Sequence, residues 1–374
     1  MRDIKHHETT IAILGIVVLC CWLIACRQEK IHDRQSFVEF PEIIECKGRA
    51  ITPDTALLRY PFRIRIQGDK IAILDLHGSD YFCHLFHYPD FHYLTSWARR
   101  GKGPEEQLSV ENIRWEGDSI WLLDSYKSEL KCFVYKPDTR LMECCSRIAL
   151  DSSLSLALDF VQCGTDSFAI PDYSGQHRLS LVNKSGIPTQ NIGTIPTAHV
   201  DLLKQAPAAM SQAWRCFIDY QPRQDILAAA TQFGEVLEIY HLKDTLRTIT
   251  IGQHGEPKFK LSDGYGIPNG IMGCFDIQIT SNAIYVVFQG HSFQELIRNY
   301  KVGIRLPDGG SNLYIFTLEG KPIRHYRLDH SVCGISVDES AGTVLATDVN
   351  NDNAIVEFRI HEKMGITSSS DDRK

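Results

Sequence analysis

Along most of the chain, apolar and polar residues alternate with a period of two, in short runs broken by Gly, Asp and Asn. Such runs read as half-buried β-strands, because successive side chains of a strand leave on opposite faces. They come in pairs: an apolar strand, a turn often begun by Asp, then a second alternating strand. The pairs are 71–75 with 82–86, 120–124 with 130–135, 168–172 with 179–182, 226–231 with 236–240, 284–289 with 313–316, and 344–348 with 355–358. Equivalent positions Asp75, Asp124, Asp172, Thr231, Gln289 and Asp348 lie 49, 48, 59, 58 and 59 residues apart. Further apolar stretches flank each pair, such as 113–115 and 335–337 upstream and 323–328 downstream. Tight-turn signals at Gly68-Asp69, Gly117-Asp118 and Thr165-Asp166 separate the first two strands of three repeats.

A period of about 50–60 residues with four short strands per repeat predicts a β-propeller. The expected fold is all-β: a single six-bladed β-propeller with four-stranded antiparallel blades. Helical periodicity is confined to 199–214, in the link between the third and fourth repeats. Residues 37–45 precede the first repeat and alternate as a strand. An N-terminal strand donated to the last blade closes a propeller ring and removes an exposed edge, and 37–45 is assigned that role.

The start of the chain follows a different pattern. Residues 11–25 form a nearly unbroken apolar run, IAILGIVVLCCWLIA, ending at Cys26. As a helix it would span about 22 Å, short of the ~30 Å hydrocarbon core of a bilayer, which suits the apolar centre of a signal peptide. Leu23-Ile24-Ala25-Cys26 resembles a bacterial lipobox, in which the cysteine is acylated and becomes the mature N-terminus. The resulting organisation is a lipoprotein signal peptide over 1–25, a tether over 26–35, a propeller over 36–361 and a polar tail over 362–374.

Composition agrees with a globular fold: 43% hydrophobic and 23% charged residues in 374, with a net charge of −7. The acidic balance argues against a general nucleic-acid binder, and no nucleic-acid partner is expected. Twelve cysteines, once the leader is removed, reduce to Cys26 and nine scattered others with no CxxC pair. All nine are expected to pack as small hydrophobes.

Gly101-Lys102-Gly103-Pro104-Glu105-Glu106 follows the first repeat. With the lipobox and six such repeats, it resembles the TolB-like six-bladed propeller lipoproteins, over about residues 36–361. That family carries a Gly-basic-Gly-Pro-Gly-Glu signature here, and Glu105 replaces its third glycine. The resemblance implies a propeller fold and a Gram-negative envelope location, as an outer-membrane lipoprotein, far more than an activity.

The 101–106 loop should lie on the face that also carries the turns after the blade aspartates. Arg99, Arg100, Lys102 and Glu105 would then stand near Asp75, Asp124, Asp172 and Asp348 as a polar rim for a ligand. The competing account is structural: Gly-x-Gly-Pro sets a sharp inter-blade turn, and Asp at a turn start bonds its own backbone two residues on. Asp348-x-Asn350-x-Asp352 begins like a calcium loop, but Asn353 and Arg359 stand where Gly and Glu are needed. Cys83, His84, His87 and His92 do not converge as zinc ligands on a strand and its hairpin. No metal or cofactor is therefore expected, and neither HExxH nor GxSxG occurs. The long segments 252–273 and 290–312 offer Phe259, Tyr265, Phe293 and Tyr300, with Arg298, Lys301 and Arg305, as contact area.

Two functions are compatible with this pattern. The favoured one is a lipid-anchored binding or scaffolding module that holds a protein, peptide or glycan on its loop-rich face and meets the membrane through its lipid. The alternative is a propeller hydrolase or lyase with channel-facing acidic residues, which would require carboxylates or imidazoles converging in one pocket.

Overall fold

The computed structural model describes residues 30–53, 58–154, 156–244 and 246–360. The lipobox with Cys26 and the polar tail lie outside the described residues.

Six antiparallel sheets form the blades of the propeller. The first contains Pro61–Gln67, Lys70–Asp75, Tyr81–His87 and Tyr93–Arg99. The second contains Val110–Glu116, Ser119–Asp124, Glu129–Lys136 and Leu141–Ala149. Blade three runs from Val161–Gln162 to Pro188–Ile192, and blade four from Cys216–Gln221 to Leu246–Ile251. Blade five runs from Cys274–Ile279 to Pro322–Val332, and blade six begins with Gly334–Asp338. In the first five blades the four strands pair in chain order, while blade six takes its fourth strand from the N-terminal segment. The six repeats of the sequence are the six blades.

The N-terminal segment does more than close the ring. It forms three strands: β1 (Lys30–Ser36), β2 (Ile43–Cys46) and β3 (Gly48–Ile51). β1 pairs in parallel with the outer strand of blade four, and β2 in parallel with the outer strand of blade five. β3 is the fourth strand of blade six, antiparallel to Ile355–Arg359. The expectation for 37–45 is thus corrected: β3 closes the ring, and 37–45 belongs to a strap across three outer edges. Its apolar alternation has another cause, since Phe37 and Phe40 pack beside Phe316 at 5.6 and 5.3 Å between ring centroids. The tether expected over 26–35 is also shorter than read, because strand pairing begins at Lys30.

Packing between neighbouring blades makes the core. Trp121 of blade two meets Phe168 of blade three edge-on, with centroids 5.0 Å apart. Each such side chain, fully buried, stabilises the fold by about 1.5–3 kcal/mol, which is what holds one sheet against the next. Seven of the nine described cysteines are buried in this core, as expected; Cys144 and Cys145, on the outer strand of blade two, are exposed. Their strand is a blade edge, mostly in contact with water rather than with another sheet.

The 199–214 link contains helices α1 (Val200–Gln205) and α2 (Pro207–Ala213), matching its helical pattern. The two segments read as irregular have structure of their own. One holds a hairpin of Phe259–Ser262 and Tyr265–Pro268, and the other holds helix α3 (Phe293–Lys301).

Chain direction gives the propeller two unlike faces. Turns between the first and second and between the third and fourth strands, such as Gly68-Asp69, lie on one; we call it the short-turn face. The turns after the second strands, the inter-blade connections and α3 lie on the other, the loop face.

Candidate functional site: the loop face above a sealed axis

The innermost strands carry charge into the axis. Arg65 of blade one donates to both oxygens of Asp276 of blade five, at 2.9 and 2.8 Å, and to the Ile335 carbonyl of blade six at 2.8 Å. Arg114 of blade two pairs with Asp219 of blade four at 3.2 Å and with Asp159, beside blade three, at 3.3 Å. Arg63 stacks over Phe62 and Phe217, 3.8 and 4.5 Å from their centroids, with its Nε 3.5 Å from Asp276.

The aspartates also staple one blade to the next. Asp159 accepts from Ile218 N at 2.8 Å, Asp219 from Ile279 N at 2.7 Å, and Asp276 from Ile335 N at 2.9 Å. Burial alone would raise the Asp276 carboxyl, but Arg63 and Arg65 outweigh it and hold the group at about 2. The three arginines and three aspartates balance in charge, and Arg63, Asp159 and Asp276 have no exposed surface. These axial acids are committed to ion pairs and backbone amides, and of the three Asp219 has its carboxyl raised by burial. A second buried set joins Glu238 to Arg178 and Arg247 between blades three and four.

The blade aspartates serve the loop face as backbone acceptors. Asp75 accepts from the amides of Arg59, Tyr60 and His77 at 2.7, 2.8 and 3.0 Å. Asp124 does the same for Leu108, Ser109 and Lys127, at 2.8, 3.2 and 3.2 Å. Asp172 accepts from Ser174 N at 2.6 Å, and Asp348 from Asn350 N at 2.9 Å. All four are buried, so they shape the rim from beneath rather than present oxygens at its surface.

The 101–106 loop is likewise held by its own bonds. Gly103 N donates to Glu106 Oε2 at 2.9 Å, while Lys127 Nζ donates to the carbonyls of Gly103 and Glu106 at 2.7 and 2.6 Å. Gly101, at φ +153°, leaves room for the Glu106 carboxylate, which a Cβ there would overlap at 1.9 Å. Arg100 lies 3.6 Å over the Phe82 ring and donates to the Leu76 carbonyl. Glu105 pairs with Arg147 of blade two. Arg99 and Lys102 are exposed, Arg99 reaching Glu106 at 3.8 Å. The structure therefore gathers Arg99, Arg100, Lys102, Glu105 and Asp75 around one inter-blade loop, with Asp124 below its far end. Asp172 and Asp348 stand apart on blades three and six.

A cleft of about 500 Å³ opens elsewhere on this face, where blades one, five and six meet. Its walls include Arg59 and Tyr60 before blade one, His77 after Asp75, Arg305 and Pro307 of the blade-five insertion, and Asn350 of blade six. The Tyr60 and His77 rings lie 4.6 Å apart, tilted by 38°. Asp308 ties the wall together: it accepts from Arg305 at 3.0 Å and sits 3.4 Å from the Tyr60 hydroxyl, while its amide donates to Asn350 at 2.9 Å. Burial, with the Cys333 and Asp308 groups nearby, raises the Tyr60 phenol, so it stays neutral and can donate. Arg59 is exposed and has no side-chain partner among the described residues. Of this set, the sequence singled out Arg305 as contact area and Asn350 as part of a calcium-like loop, and neither as a wall of a cleft. Tyr60 and His77 flank Asp75 in space, but nothing in the chain order shows that they meet Asn350.

Elsewhere on this face, the hairpin, whose Gly266 N donates to Gln212 of α2 at 3.3 Å, exposes Leu261, Tyr265 and Ile267, and the α3 segment exposes Ile297, Tyr300 and Val302. The histidines once considered with Cys83 have other partners: His84 bonds Ser96 at 2.8 Å and His87 bonds Asp90 at 2.9 Å.

Comparison with known proteins agrees with this architecture. Two solved structures are similar in fold. One is a protein described as exported from Bacteroides fragilis, with TM-score 0.54 and 11% identity over 88% of this chain and 99% of that one. The other is a DUF4221 family member from Bacteroides vulgatus, with TM-score 0.50 and 10% identity over 85% of this chain and 99% of that one. Among curated proteins no significant sequence match is found. Residues 39–340 match the profile described as TolB-like 6-blade propeller-like, and the chain belongs to that family.

Proposed function

We propose that this protein is a lipid-anchored binding or scaffolding propeller of the cell envelope, which seats part of a protein, peptide or glycan ligand on its loop face. The observation that carries the reading is the contrast between axis and rim. Charged groups at the axis are paired and largely buried, whereas the loop face offers a cleft lined by a guanidinium with no side-chain partner among the described residues and by two close, tilted aromatic rings. Arg59 and Arg305 suit an acidic group, and Tyr60 with His77 suits a flat ring or sugar face packed against it. The lipobox supports the envelope location, and the fold resemblance to a protein described as exported is in keeping with it.

Screening the mature chain, with Cys26 replaced by Ser, against peptide and glycan libraries tests this. Binding without turnover supports the reading, and turnover of any library member overturns it in favour of a hydrolase or lyase.

A further inference from the structure

The course of β1 bears on which side of the propeller meets the membrane. Lys30 pairs with Leu246, the first residue of the outer strand of blade four, and Ser36 pairs with Ile251 at its other end. Leu246 directly follows a third-to-fourth-strand turn, so β1 enters the fold beside the short turns of blade four. It then climbs about 20 Å, at ~3.3 Å per residue, towards the loop face. Arg34 near its upper end is fixed to Glu256 at 2.6 Å, and Gln35 to Thr250 at 2.9 Å, so this edge strand is tied down on both sides.

Cys26 stands four residues before Lys30. However the intervening chain bends, four residues reach at most about 14 Å. An acyl group on Cys26 therefore holds the short-turn corner of blade four against the lipid headgroups. The cleft is displaced from that corner in two ways. It lies on the opposite face, and one of its walls belongs to blade one, which stands diametrically across a six-membered ring from blade four.

From this geometry we infer that the membrane-facing surface is the short-turn side of blade four, and that the cleft and α3 point away from the bilayer. The inference rests on the lipid-anchor reading and adds an orientation to it.

The test uses the full acylated chain in phosphatidylethanolamine–phosphatidylglycerol vesicles that carry a headgroup-level fluorescence quencher. Cys144→Ser and Cys145→Ser remove the exposed thiols, and a dye is placed through Arg223→Cys on the short-turn face, Lys102→Cys on the loop face, or Tyr300→Cys on α3. Quenching several-fold stronger at position 223 than at 102 and 300 is expected. Equal quenching at all three positions, or stronger quenching at 102 or 300, overturns the orientation. Labelled fatty acid is followed in the same preparation. Acylation with the wrong quenching pattern defeats the orientation alone, whereas no acylation at Cys26 defeats the anchor and the orientation with it.

Discussion

Arg65 and Asp276, 211 residues apart, meet across the propeller axis in a bidentate ion pair that joins blades one and five. With Ile335 N also bonded to Asp276, three blades depend on one carboxylate.

This carboxylate should govern acid stability. Its folded value of about 2 lies below the ordinary 3.8, so its contribution is present above about pH 4 and is lost as pH falls towards 2. The shift corresponds to about 2 kcal/mol. Asp276→Asn leaves Arg63 and Arg65 charged and buried, and should cost about 3–5 kcal/mol at pH 7. Urea unfolding at pH 7 and pH 3 measures both effects, and the variant should lose much of the wild-type difference between them.

Glu235 should show the opposite dependence. Burial raises its carboxyl from 4.5 to about 7, only partly offset by the amide of His254, which donates at 3.0 Å. A raised carboxyl stabilises the fold fully below pH 4.5, and that contribution is lost as pH rises through 7. Glu235→Gln should therefore be more stable than wild type at pH 8, by up to about 3 kcal/mol, with little difference at pH 4.5. Thermal melts across this range follow the crossover.

What the sequence made legible follows from range. The blades were visible because alternation within 71–75 or 120–124 is a local signal. The closing strand was misplaced because 37–45 carries Phe37 and Phe40, whose burial against blades four and five imitates a blade strand. The true closing strand, β3, is only four residues long with no clear alternation, and its Gly48 is required where a Cβ would meet Val356 at 2.3 Å. Arg63 and Arg65 on an innermost strand were a readable oddity, but their partner Asp276 depends on ring closure. The cleft was hidden for the same reason, since Tyr60, Arg305 and Asn350 come together only when blades one, five and six are in place.

The strap should matter to the fold. A chain beginning at residue 37 lacks β1 and uncovers the Leu246–Ile251 edge. Losing several backbone hydrogen bonds at about 0.5–1.5 kcal/mol each should lower stability by several kcal/mol, and the bare edge should promote self-association. Denaturant titration and light scattering, compared with a chain beginning at residue 27, measure the two effects.

Gly101→Ala should disturb one loop only. The added Cβ displaces the Glu106 carboxylate and with it the bond from Gly103 N. A cost of about 1–3 kcal/mol is expected, with the axis intact. If Glu106 is the obstacle, Gly101→Ala should cost less in a Glu106→Ala background, which a double-mutant cycle reads directly.

The central claim is that ligand binding belongs to the loop face, and a comparison of affinities on two faces tests it most directly. With a ligand from the library screen, binding by the mature chain is measured by titration calorimetry for three variants. They are Arg59→Ala/Arg305→Ala at the cleft, Arg99→Ala/Lys102→Ala at the inter-blade loop, and Asp118→Ala/Arg223→Ala on the short-turn face. The account expects the cleft variant to lose at least about tenfold in affinity, roughly 1.4 kcal/mol, while the short-turn variant binds as wild type. Full affinity in both folded loop-face variants, or a comparable loss in the short-turn variant, would contradict it.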